Sequence, residues 1–439
     1  MLPPIQRDYL LSPAVIPADT RATVRICPRF SHAAFPPADR LTVELIPVDG
    51  LSKEGYLSSS AGALSSFSLL KDGTLEVTGF FAGEQEHTLL VKFPKNNAER
   101  VLSFSLYSLS RDLFSLFPYK GDLHLHSNRS DGTEAPEYLP ARCREVGYDF
   151  MAVTDHRLYD PSREAIRFWK EYAPPVTILP GEEVQLADEY LHTLSLGAAF
   201  GIHRWAEEHP VPFENELDSI RGEFRKASLP FDPEPLVRAE WVFRKIREAG
   251  GVSVFSHPCW RREKNKIHEG LLRALLRQSG FDALEVFSGH GHDGWLANSL
   301  QELLYHGMEP DRRPAPVSAS DAHGTSGLSQ CFRWNYTIVF ASSPSVEHLV
   351  SAIRKKLCVA VEAHEEAYPR ITGEMRLVRY GGFLMKNYFP YHDFLAGAEG
   401  AAMHRILAGA PSPAPTPDPV LSSGKNDSEN YRKQFFRRG

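Results

Sequence analysis

The chain has 439 residues, 42% of them hydrophobic and 24% charged, with a formal net charge of -6. That length exceeds one ordinary core and implies two domains of a soluble globular protein, while the acidic balance argues against broad nucleic-acid binding. Five scattered cysteines without a CxxC pair suggest neither a disulfide framework nor a thiolate zinc site; the N-terminus has no basic segment leading into an apolar run, so a cytoplasmic protein without signal peptide or membrane span is expected.

Residues 1–112 read as a β-rich domain. Thr23–Ile26 and Leu41–Leu45 alternate, and further strands are predicted at Leu75–Val77, His87–Phe93 and Val101–Tyr107, where Leu102, Phe104 and Leu106 share a face. Turns at Asp49-Gly50, Asp72-Gly73 and Pro94–Asn97 separate them. Short strands at this spacing predict a small antiparallel sandwich. No chemical cluster falls within it.

From 113 to 409 the pattern changes to apolar strands separated by helical segments. Strands are predicted at Asp122–Leu125, Phe150–Val153, Val176–Leu179, His192–Leu196, Val252–Phe255, Ala283–Phe287, Ala315–Ser318 and Trp334–Phe340. Their order implies an α/β domain with a mainly parallel sheet, open or closed into a barrel. Leu236–Ala249 is a helix with Val237, Trp241, Val242 and Ile246 on one side, stopped by Gly250-Gly251. Ser343-Pro344 opens a helix running through Lys356, and Tyr388–Leu407 is the last. The charged, proline-punctuated segment 202–235 reads as an insertion and a candidate lid. Residues 410–439 show no apolar pattern and are expected to form a disordered tail.

The chemistry is concentrated between Lys120 and His156. An apolar run leads to His124 and His126, two residues apart and so on one face of an extended strand. Asp131 follows in a Ser-Asp-Gly turn, and a second apolar run ends in Thr154-Asp155-His156. Further groups stand near the predicted strands: Glu182 and Glu183, His192, His257, then Asp321 and His323. Singly, each is as well explained by a cap, a turn or a satisfied core group. Together, repeated where α/β sheets gather their functional groups, they point to metal binding. Imidazole and carboxylate without thiolate suit zinc, manganese or iron(II), in a number exceeding what one ion needs.

In order, HLHSNRSDG, TDH, PGEEV, the lone His192, SHP and SDAH resemble the motifs of the PHP (polymerase and histidinol phosphatase) superfamily over roughly residues 120–360. The resemblance implies a distorted (β/α)7 barrel with two or three divalent ions, Mn, Zn or Fe, with Mg also admissible. It implies that His124, His126, Glu183 and Asp321 hold one ion. Glu183 would bridge to a second ion completed by His192 and His257, and Asp131, His156 and His323 would hold a third. The family's Gly-x-Glu spacing selects Glu183 over Glu182, and Asp155 is left as a turn or supporting residue. The β-rich segment ahead of the motifs is also similar in arrangement to the CehA/McbA-type branch, whose named members hydrolyse an aryl carbamate.

Two ions sharing a carboxylate would present hydroxide near neutral pH, so no protein nucleophile is required and the acid for the leaving group is not identified. Arg129, Arg157, Arg261 and Arg262 adjoin ligand positions. Each is as readily a solvated arginine, but together they favour phosphate oxygens. His290 and His292 lie in a glycine-rich loop and are not counted as ligands, and Cys259 reads as a packing residue. The expected activity is a metal-dependent phosphoesterase, of nucleotide-phosphatase or 5′–3′ exonuclease type, acting on a small phosphate ester, nucleotide or short oligonucleotide. Duplex nucleic acid and membranes are not expected partners. The alternatives are a carbamate or carboxyl-ester hydrolase of the carbaryl-hydrolase type, and a noncatalytic scaffold stabilised by metal. Substrate, native metal and oligomeric state stay open at this level.

Overall fold

The computed structural model describes residues 4–48, 64–95, 98–188, 191–224, 229–260, 267–278, 280–289, 294–326, 331–364, 367–409 and 419–436. They fall into two compact units, Met1–Phe117 with Arg379–Leu395 and Ser423–Gly439, and Pro118–Val378 with Ala396–Ser422.

The first unit is built on β1 (Tyr9–Ser12), β2 (Val15–Pro17), β3 (Thr20–Pro28), β4 (Thr42–Pro47), β5 (Leu64–Leu69), β6 (Leu75–Phe81), β7 (Gln85–Lys95) and β8 (Ala98–Leu109). They form two four-stranded sheets, β1-β3-β6-β5 and β2-β8-β7-β4. Alternation turns Val24 and Ile26 of β3, and Leu89, Val91, Leu102, Phe104 and Leu106 of β7 and β8, into one core, as the pattern predicts. Asp72-Gly73 makes its turn, with Gly73 at φ 83° and the Thr74 N–H donating to Asp72 Oδ1 at 3.0 Å. Asp49-Gly50 and Asn96-Asn97 lie outside the described residues. β1, β2 and β5 escape the sequence reading because they are short or, in β5, half serine and largely exposed.

The tail is a correction. Residues Pro419–Phe436 form a helix rather than a disordered segment. Its Tyr431, Phe435 and Phe436 are buried, with Tyr431 stacked 5.4 Å from Tyr388 and the Ala14 N–H donating to the Phe435 carbonyl at 2.8 Å. One aromatic stripe in the last turns supplies the burial, and the overall polarity of the segment hides it.

The other strands are β9 (Phe117–Asp122), β10 (Phe150–Ala152), β11 (Thr177–Leu179), β12 (Gly181–Asp188), β13 (Leu191–Leu196), β14 (Val252–Phe255), β15 (Ala283–Ser288), β16 (Ala315–Ala319), β17 (Asn335–Ala341), β18 (Cys358–Glu362) and β19 (Arg370–Thr372). They make a six-stranded sheet, β11-β10-β9-β17-β18-β19, and a five-stranded sheet, β12-β13-β14-β15-β16. The expected parallel pairing holds for β9-β10-β11 and β14-β15-β16. Antiparallel pairing joins β12-β13-β14 and β17-β18-β19, with β13 following β12 directly in the chain. The domain is therefore mixed α/β. In place of one continuous barrel ladder, two sheets are tied by isolated parallel bridges at Leu125–Ala322 and His156–Glu183.

The helix Glu234–Glu248 buries Val237, Trp241, Val242 and Ile246 as predicted. The insertion supplies two helices, Ile202–Glu208 and Pro210–Phe224, whose Ile202, Ala206, Leu217 and Ile220 pack in the same cluster as an outer layer. The helix after Ser343-Pro344 begins at Val346, because the Ser345 side chain caps it by accepting the His348 N–H at 3.3 Å. No helix among the described residues is long and apolar enough to cross a membrane.

Candidate metal centre

β9 ends at Asp122, so His124 and His126 are delivered by the loop beyond the strand and not by the strand itself. That loop is pinned by the Leu125–Ala322 bridge and by the His126 N–H on the Ala322 carbonyl at 3.0 Å. Asp155 holds the following turn. Its Oδ1 accepts the N–H groups of Ser127 and Ser130 at 2.9 and 3.1 Å, and its Oδ2 accepts the Ser127 hydroxyl at 2.7 Å. Glycine is required at 132, where a Cβ would sit 2.3 Å from the His126 carbonyl oxygen. Arg157, His257 and Asp321 take left-handed backbone angles (φ 61°, 29° and 49°), a strain that side-chain placement at the strand ends must offset.

All nine motif residues converge around Glu183. Its Oε2 lies 2.7 Å from His156 Nδ1 and 3.4 Å from the Nε2 atoms of both His124 and His126. Its Oε1 lies 2.7 Å from His192 Nδ1 and 3.2 Å from His257 Nε2. Asp321 Oδ1 stands 3.2 and 3.0 Å from the Nε2 atoms of His124 and His126. Asp131 Oδ2 stands 3.4 and 3.2 Å from those of His156 and His323. Four donor groups result, in each of which one atom per residue lies within 4.8 Å of the others: His126-Asp131-His156-His323, His124-His257-Asp321, His124-His126-Glu183 and His156-Glu183-His192. The Asp131 side chain is 51% exposed and that of Glu183 0%, so the cluster is closed at the centre and open on the Asp131 side.

The electrostatics ask for positive charge. Burial alone would raise the Glu183 carboxyl, but His192 and His124 outweigh it and hold it well below the usual carboxylate range. Asp131 and Asp321 are likewise raised by burial and more strongly lowered by His156 and His323, and by His124 and His126. Burial pulls His156 down, yet Asp131 and Glu183 push it up to about 10; His126 gives way to burial and is lowered. Meanwhile His124 Nε2, His126 Nδ1 and Glu183 Oε2 are buried without a well-formed hydrogen bond. Ionised carboxylates and unpartnered imidazole nitrogens facing one point are the donor set that hard or borderline divalent cations take, so the residues fit metal.

Several contributors are not singled out by the sequence reading. Glu285, a lone acid in the apolar run of β15, is fully buried; it meets His124 Nδ1 at 3.2 Å and accepts the His257 N–H at 2.7 Å. Such an acid in a buried strand is a signal that could have found it. Gln185, which nothing in the sequence marks, puts its amide nitrogen 2.9 Å from both His156 Nδ1 and His192 Nε2. Its Oε1 accepts the Arg157 Nε–H at 2.8 Å. Glu182 points away to the backbone N–H of Ile202, and burial pushes its carboxyl up to about 7. Of the four arginines, Arg157 is therefore tied to the cluster through Gln185. Arg129 is engaged at both ends of its guanidinium by Glu164, at 3.0 and 2.6 Å. Arg261, Arg262, His290 and His292 lie outside the described residues, and Cys259 is buried as a packing residue.

No family model matches the chain. Over 82 residues it is 38% identical to the DNA polymerase/3′-5′ exonuclease PolX of Bacillus subtilis (strain 168), a match spanning 18% of this chain and 14% of that protein. Among solved structures, a two-domain protein from Bacteroides vulgatus containing a predicted PHP-like metal-dependent phosphoesterase aligns with a TM-score of 0.40 and 16% identity, covering 57% of this chain and 66% of that one. An amidohydrolase from Chromobacterium violaceum aligns with a TM-score of 0.30 and 18% identity, covering 48% and 89%. These two scores are too low to weigh for or against any activity. The ordered motifs and the convergence of their side chains keep to the pattern by which the chain resembles the PHP superfamily, and the identity with PolX is local to 82 residues.

Proposed function

We propose that this protein is a metal-dependent phosphoesterase acting on a small phosphate ester, a nucleotide or a short oligonucleotide. The observation that carries the proposal is the convergence of His124, His126, Asp131, His156, Glu183, His192, His257, Asp321 and His323, within which His124 Nε2, His126 Nδ1 and Glu183 Oε2 are buried without a well-formed hydrogen bond. These are the residues that would hold two or three divalent ions, Glu183 being shared. When bound, such ions supply Lewis acidity toward a phosphoryl oxygen and a water acidic enough to lose its proton near neutral pH. The chain's own part is positioning. Glu285 orients His124, Asp155 holds the turn that carries Asp131, and the exposed Asp131–His323 side admits the ester. Arg157, fastened by Gln185 beside His156, has terminal N–H groups suited to a nonbridging phosphate oxygen. The acidic balance of the chain favours a small or short substrate over duplex nucleic acid.

The test is turnover by protein loaded with Mn or Zn on nucleoside monophosphates, a phosphodiester, short oligonucleotides, an aryl ester and an aryl carbamate. Phosphate-ester hydrolysis that disappears in Glu183→Ala is expected. Carbamate or carboxyl-ester hydrolysis without phosphate release would replace the proposal with the CehA/McbA-type reading, and stoichiometric metal without any turnover would replace it with a scaffold.

A further inference from the structure

The first unit contains a cavity of about 90 Å³, remote in sequence from the PHP motifs and lined by Gln6, Tyr9, Arg29, Phe104, Tyr391 and Phe435 among others. All of its lining residues belong to that one unit. Its walls are apolar and aromatic, Tyr9 standing edge-on to Phe104 at 5.5 Å. Ser103, Ser105 and Asn387 also line it, and two buried polar atoms of the lining lack a hydrogen-bond partner. The Tyr9 side chain is 4% exposed, yet its hydroxyl has no hydrogen-bond partner, and Gln6 Oε1 is buried and equally unpartnered while Gln6 Nε2 donates to the Lys386 carbonyl at 2.7 Å. Leaving either atom unmet costs about 1–3 kcal/mol. The guanidinium of Arg29 lies 4.7 Å over the Tyr391 ring and donates to the Tyr391 hydroxyl at 3.1 Å, and among the described residues no carboxylate is paired with it. Space for a ligand is modest: at about 10–15 Å³ per water-sized group, the cavity holds about six to nine such groups.

We infer that this cavity is a binding site for a small hydroxylated carboxylate. A ligand hydroxyl can donate to Gln6 Oε1 and accept from Tyr9, a short carbon skeleton fills the apolar walls, and a carboxylate meets Arg29. Its lining belongs to the first unit and the proposed metal ligands to the second, so it gives the β-rich unit a binding role of its own.

The experiment is calorimetric or ligand-observed NMR titration of the full chain with 3-hydroxybutyrate, with butyrate (no hydroxyl) and 1,3-butanediol (no carboxylate) as matched controls. The expected result is binding of 3-hydroxybutyrate about tenfold or more tighter than either control, one hydrogen bond or one ion pair being worth about that factor. Tyr9→Phe, which keeps the ring, is expected to remove the advantage over butyrate, and Arg29→Gln the advantage over 1,3-butanediol, both with unchanged metal content and phosphate-ester turnover. Equal binding of all three probes, an unaltered affinity in Tyr9→Phe, or a crystal soaked in 3-hydroxybutyrate that shows only waters in the cavity would overturn the assignment.

Discussion

In the first unit, buried strand positions are almost all apolar, and polar burial is confined to a few groups such as His87 beside the Ser108 hydroxyl. In the second, strands just as deeply buried end in imidazoles and carboxylates, and a lone acid, Glu285, sits inside one of them. Both arrangements are close-packed, but they solve different problems. An apolar core gains from every methylene removed from water. A buried cluster of ionisable groups loses stability unless something positive meets it. The second unit thus has a site that metal would complete, whereas the first has a core held by apolar contacts, with the cavity beside Tyr9 as its exception.

The largest effect that would separate the two is expected from Glu183→Ala. It removes the carboxylate shared by five imidazoles, and phosphate-ester turnover should fall by about a thousandfold or more, with loss of bound metal measured by elemental analysis. Retained activity would show that the cluster is not the reaction centre. Next comes Leu89→Ala in the first unit, where Leu89 is 0% exposed. Denaturant unfolding should register a loss of about 2–5 kcal/mol, with kcat/KM per folded molecule unchanged. Glu285→Gln is expected to be milder, lowering metal affinity by about 10–100-fold in a chelator competition while the fold persists. An equal effect from Glu285→Ala and Glu285→Gln on melting temperature alone would mark it as a packing residue.

The smallest effect is a pH slope. Burial raises the Glu182 carboxyl from 4.5 to about 7, so the folded state holds that proton more tightly than the unfolded chain does. Its contribution is fully present below pH 4.5 and is lost as pH rises through 7. Glu182→Gln, which keeps an acceptor for the Ile202 N–H, should flatten this part of the stability–pH curve of the chelator-treated protein. The same slope in both proteins would assign it to other groups.

Eight of the nine motif residues were legible because each stands in a short local pattern, HLH, SDG, TDH, PGEEV, SHP or SDAH, while the lone His192 was legible only from its order among them. The alternation of β7 and β8, and the helix Glu234–Glu248, were legible for a similar reason: burial on one face writes a period into the chain. Gln185 was not, since a residue that touches an imidazole from another strand leaves no local trace, and Glu285 left only the lone acid in an apolar run, which names no partner. The helix Pro419–Phe436 was missed because three buried aromatics at its end decide its place, against the polarity of the rest.

What the sequence by itself determined is the donor chemistry: which imidazoles and carboxylates exist, and in what order they leave successive strands. Only the tertiary structure decided which of them share a point in space, that Arg157 is linked to the cluster while Arg129 is held by Glu164, and that β12-β13-β14 and β17-β18-β19 run antiparallel in a sheet expected to be mainly parallel. Local patterns fix the direction of a side chain relative to its own backbone. Its partner is fixed by the packing of strands distant in the chain, which no local period records.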